Sequence, residues 1–161
     1  MTTAKALRDM SDLNETEIRA LNEALDDEYR SWATYDRVIA DFGEVLPFAN
    51  IRAAERRHVE ALCALFVRYR LRVPENPWPE KVDRFASVQA ACEASVAAEI
   101  ANGEMYDRLL MATRRPDILS VFRNLQEASQ QRHLPAFQRC AQRATGGGRG
   151  AGRHRGERGR A

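Results

Sequence analysis

Glu55 and His58 stand three residues apart in a stretch with helical spacing. Two further glutamates, Glu28 and Glu99, and a second histidine, His133, fall at comparable places in three other such stretches. Glu-x-x-His on a helix puts both side chains on one face about one turn apart, so the two can grip one cation. Carboxylates and imidazoles at core positions must be paired, neutralised or bound to a cation, because an isolated buried charge is too costly to keep. Oxygen and nitrogen donors without thiolate suit iron or manganese. Gln130, three residues before His133, stands where Glu55 stands relative to His58 and completes a candidate set of six. Tyr35 and Tyr106, each seven residues after Glu28 and Glu99, are candidate hydroxyl donors to ligand carboxylates, though such tyrosines are as often plain core. Glu127, one turn before Gln130, is a reserve carboxylate.

These residues need helices to position them, and the breakers in the chain outline four. Asn14 followed by Glu17 reads as a capping box that opens a first helix running to about Phe42, where Gly43 and Pro47 stop it. A second helix runs from Phe48 to about Arg72. Pro74, Pro77 and Pro79 then make a stiff connection long enough to cross a bundle. A third helix spans about Ala86 to Thr113, and after a short turn at Arg114–Asp117 a fourth continues to about Ala144. Three-four spacing places Glu28 in an apolar stripe with Leu21, Leu25, Trp32, Tyr35 and Ile39, and Glu55 and His58 in one with Ile51, Leu62 and Leu65. The third stripe carries Cys92, Val96, Glu99, Gly103 and Tyr106; the fourth carries Phe122, Gln126, Gln130, His133, Phe137 and Cys140.

An internal repeat separates this pattern from a chance Glu-x-x-His, which in so charged a chain would more often be a surface accident. Glu28 and Glu99 are each followed by Tyr-Asp-Arg at the seventh residue, and Arg57–Leu62 parallels Arg132–Phe137. The chain therefore reads as two helix hairpins related by a pseudo-twofold axis through the site. The repeat sets Gly103 against Trp32, a pairing of small with large. Pro135, just after His133, removes a helical hydrogen bond and is placed to bend the fourth helix.

With Glu28 and Glu99 on two helices and Glu-x-x-His on another, residues 13–144 resemble the ferritin-like superfamily, and in detail a bacterial and archaeal branch of unknown function. The resemblance implies an all-α, antiparallel four-helix bundle with one long crossover between helices 2 and 3. It implies terminal carboxylates at Glu28 and Glu99, a bridging carboxylate at Glu55 and terminal nitrogens at His58 and His133. Gln130 departs from the family's second bridging glutamate. Three carboxylates then face the four positive charges of a diferrous pair, which leaves two ions, or one tight ion with a weak second position, as alternatives. The implied activity is oxidation of Fe(II) by O2 or peroxide, or peroxide reduction, with iron as the metal and manganese as the alternative. There is no rubredoxin-like segment, so turnover would draw electrons from an external donor. Bundles of this kind often form homodimers. A reading from another class is a non-catalytic helical module that binds one metal or none and serves structure, with the basic tail contacting nucleic acid or a partner.

Composition bounds the rest. The 161 residues, 44% hydrophobic and 30% charged, suit one domain with one core. Met1 to Met10 lack the apolar core of a signal peptide and the longest apolar run, Ala61 to Val67, is too short to span a bilayer, so a cytoplasmic protein without membrane contact is expected. The net charge of +2 hides a division: residues 145–161 hold five arginines against Glu157 alone. This Gly/Arg tail is expected to be disordered. It is read as a solubilising extension in preference to a nucleic-acid contact. Cys63, Cys92 and Cys140 are far apart and form no C-x-x-C pair, and are read as reduced, buried thiols.

Overall fold

The structure, a computed structural model, describes residues 13–146. The tail expected to be disordered falls almost wholly outside them. The chain folds into four helical columns with no strand among the described residues: α1 (Glu15–Phe42), α2 (Phe48–Arg68), α3 (Val88–Leu109), and a fourth column made of α4 (Pro116–Ala128), a π-helical turn (Ser129–His133) and α5 (Leu134–Gly146). No helix among these residues is long and apolar enough to cross a membrane.

Local chemistry sets the helix ends. Asn14 Oδ1 accepts from Glu17 N at 2.8 Å and Glu17 Oε2 accepts from Asn14 N at 3.1 Å, the expected capping box. At the other end of α1, Gly43 adopts φ 87°, and its N–H donates to Ile39 O. Ser87 caps α3 by accepting from Ala90 N. Both α2 and α3 end about four residues earlier than the sequence suggests, at Arg68 and Leu109, where tight turns take over.

Short turns make α1/α2 and α3/α4–α5 antiparallel hairpins, and α1 packs on α3 and α2 on α4. Residues 69–87 form the long crossover. It lies along the outer face of α1, where Tyr29 donates to Pro74 O, Trp78 Nε1 donates to Asp26, and Arg84 pairs with Asp41. Two apolar clusters fill the bundle. One contains Leu21, Leu25, Leu62, Leu65, Tyr106 and Phe122; the other contains Tyr35, Phe48, Cys92, Phe137 and Cys140. Between them lies the polar layer. Trp32, placed in the core stripe by its spacing, is only half-buried and faces an outer groove with Tyr29 and Val59.

The reading of all three cysteines as reduced is corrected for two of them. Cys92 and Cys140 form a disulfide between α3 and α5, while Cys63 is a free, half-buried thiol. Spacing in the chain gave no hint because the partners are 48 residues apart and meet only once the second hairpin closes. Reducing this bond should lower the unfolding free energy by about 2–4 kcal/mol. Urea denaturation of the native protein and of its dithiol form would measure this.

Candidate metal centre

Glu55 lies on α2 at the height where the two apolar clusters meet. Its Oε2 is 3.1 Å from His58 Nδ1, and its Oε1 is 3.1 Å from His133 Nδ1. Glu28 on α1 brings Oε2 to 3.2 Å from the same His58 nitrogen. Glu99 on α3 lies 3.5 Å from His133 Nδ1. Two groups result, Glu28–Glu55–His58 and Glu55–Glu99–His133, each with ligand atoms within 4.8 Å of one another and each able to hold a metal ion. Glu55 belongs to both. The two imidazoles stack with centroids 5.3 Å apart, and all five side chains are buried.

The tyrosines couple the halves by exchange. Tyr35 of α1 donates to Glu99 of α3 at 2.7 Å, and Tyr106 of α3 donates to Glu28 of α1 at 2.6 Å. This reciprocity follows from α1 and α3 running antiparallel, with each tyrosine two turns beyond its own glutamate. Burial and the facing carboxylates push both phenols well above their ordinary range, so they stay protonated donors.

The protonation of the cluster follows from the crowding of charge. Burial, helped by Glu55, raises Glu28 to about 7. Burial works against ionised Glu55 too, but Glu28 and the two imidazoles beside it outweigh burial and hold its pKa below the usual value. Burial likewise disfavours charged imidazoles, yet the carboxylates prevail, raising His58 to about 10 and His133 to about 9. Two protons thus occupy places that cations could take. His133 Nδ1 is buried and, although close to Glu55, has no hydrogen-bond partner among the described residues. An unsatisfied ligand atom beside two carboxylates fits a cation.

The fourth column departs from regular spacing at the site. Leu134 N–H donates to Ser129 O, five residues back, and the widened turn inserts an extra residue. It lies immediately before Pro135, which has no N–H to continue a regular ladder. Counting back from His133 in three-four steps therefore lands on the wrong residues. Ser129 turns inward and donates to Glu99 Oε2. Gln130 does not join the cluster: its Nε2 donates to Glu99 O at 2.7 Å and to Ser129 Oγ at 3.0 Å. Gln126 likewise donates to Gly103 O and Asp107, and Glu127 is exposed. Gly103 makes room for Gln130 rather than for Trp32, since a Cβ there would stand 2.5 Å from Gln130 Cδ. Sequence reasoning missed Ser129; the signal available was Pro135, which marks a break in helical phase.

A cavity of about 450 Å³ between α1, α3 and the crossover reaches Tyr35 and Ser95, with Asp27, Arg30, Trp78 and Lys81 also on its walls. Burial raises Asp27 there to about 6, against the pull of its bond from Asn102.

No family model matches the chain, and no curated protein matches it. Among solved structures, a crystal structure of a hypothetical protein from Methanococcus jannaschii is similar at a TM-score of 0.71, with 20% sequence identity over 83% of this chain and 84% of that one. That likeness shows a shared fold.

Two outcomes follow from this geometry. Gln130→Glu should add no ligand; it puts a carboxylate against the Glu99 carbonyl and should cost about 1–3 kcal/mol in urea denaturation. In the metal-free protein His58 and His133 have folded pKa values raised above the ordinary 6.5. Their stabilising contribution is complete below that value and is lost as pH climbs through about 9 to 10. Denaturation midpoints of the metal-free protein should therefore fall between about pH 7 and pH 10.

Proposed function

We propose that this chain is a ferritin-like carboxylate protein that holds two iron ions and uses them to oxidise Fe(II) with O2 or peroxide, or to reduce peroxide. The observation that carries the reading is Glu55, whose two oxygens each face a different buried histidine at 3.1 Å. A single structural cation needs no such shared carboxylate. Glu28, Glu55 and His58 would hold one ion and Glu55, Glu99 and His133 the other, with manganese the alternative metal. An iron pair supplies two electrons for breaking an O–O bond.

The protein's own groups then have defined tasks. Tyr106 and Tyr35 fix Glu28 and Glu99 through one oxygen each, and Ser129 holds the other oxygen of Glu99. The apolar clusters above and below keep bulk water from the layer. The cavity beside Tyr35 gives a small oxidant a route toward the α1/α3 side. Three carboxylates against four positive charges leave a surplus that favours a small anionic ligand. Binding must also displace the protons on His58 and His133, so uptake of metal releases acid and tightens with pH.

The second reading is a non-catalytic module with one metal or none. It draws on the sixth position, where Ser129 and Gln130 offer no carboxylate. An anaerobic Fe(II) titration separates the two. The enzyme reading expects two irons per chain, proton release on binding, and rapid growth of near-ultraviolet absorption on adding peroxide or O2. One iron or none, without oxidation, would favour the module. Tyr106→Phe should keep the fold and weaken iron binding by about 10–100-fold, measured by competition with a chelator.

A further inference from the structure

We propose that the Cys92–Cys140 pair is an internal two-electron store for the metal centre, so that its dithiol form reduces peroxide without an external donor for one turnover. This rests on the iron reading above. Cys92 lies seven residues before Glu99 on α3, and Cys140 seven residues after His133 on α5, so each sulfur is two helical turns, roughly 10 Å, from a cluster residue. Tyr35 joins the two places. Its hydroxyl is bonded to Glu99 at 2.7 Å. Its ring packs 5.2 Å from Phe137 in the apolar cluster that contains both cysteines.

Two features set this pair apart from a plain staple. Cys92 is fully buried and Cys140 is 7% exposed, so bulky thiols reach the sulfurs poorly while the cluster is close. The repeat also supplies an internal comparison. Shifted with Glu99 onto Glu28, Cys92 falls on Leu21; shifted with His133 onto His58, Cys140 falls on Leu65. Both leucines are buried in the other apolar cluster, where the bundle holds without a covalent link. The sulfur pair is thus an addition to one half of a symmetric design, the half that carries Glu99 and His133.

The reaction balances as written. The Cys92 and Cys140 thiols give up two electrons and two protons as their S–S bond forms. Hydrogen peroxide takes up both as its O–O bond breaks, yielding two waters.

The test compares two preparations of the same chain, with the pair as disulfide and, after anaerobic reduction and removal of the reductant, as dithiol. Each is loaded with two equivalents of Fe(II) and given one equivalent of hydrogen peroxide. Near-ultraviolet absorption is followed, and thiols are counted by alkylation and intact mass. In the disulfide form the absorption should rise and persist. In the dithiol form it should rise and then decay while alkylation drops from three groups to one, at Cys63. That loss should be roughly tenfold or more faster than in the iron-free dithiol chain given the same peroxide. Persistent absorption with three alkylated cysteines overturns the electron store and leaves the iron reading standing. So does a dithiol form that loses its iron, which would make the bond a staple. Absorption that never rises in either form sinks the iron reading and the store with it.

Discussion

The rest of the structure is arranged around one constraint, a glutamate in the middle of an apolar bundle that must satisfy both its oxygens at once. Glu55 does so by facing His58 on its own helix and His133 across the core. Removing a carboxylate from water is expensive unless charge and geometry compensate it, and here the compensation comes from every helix. Two imidazoles take up protons, Glu28 is pushed toward neutrality, and two phenols and a serine hydroxyl hold the outer carboxylates. The apolar clusters on either side maintain the low dielectric that makes these bonds strong.

Much of this was legible in the chain. The capping box at Asn14 and Glu17, the stop at Gly43 and the crossover of prolines come from local rules that tertiary packing does not override. The periodic stripes brought Glu28, Glu55, His58, Glu99 and His133 to one height, and the structure groups those five. Departures occur where a rule of constant spacing fails. Gln130 and Gln126 were assigned inward places by a three-four count that a π turn breaks, and Ser129 took the place instead. Trp32 sits on an apolar stripe but faces outward, because the crossover covers only part of α1 and leaves a groove beside it. The disulfide was invisible because a pairing 48 residues apart is a property of the closed hairpin and of no local pattern.

The two halves of the bundle are related but not equal. In the half with Glu28 and His58, the helix that bears the histidine is regular. In the half with Glu99 and His133, the same helical role is filled by a column with a π turn, a proline and a sulfur cross-link. Glu99 receives hydroxyl bonds at both oxygens, from Tyr35 and Ser129, whereas Glu28 receives one hydroxyl, from Tyr106, and lies against His58 at its other oxygen. Any ions held there would meet two different environments.

The exchange of tyrosines between α1 and α3 reaches beyond the site. The tyrosine that bonds Glu28 or Glu99 lies on the opposite hairpin in each case, and Glu55 of the first faces the histidine of the second. A fragment cut at the crossover would carry a buried carboxylate and a buried phenol, each with its partner on the missing piece. Each hairpin is thus the other's source of buried polar partners, and the two halves of the bundle are tied together through the site as well as through their apolar faces.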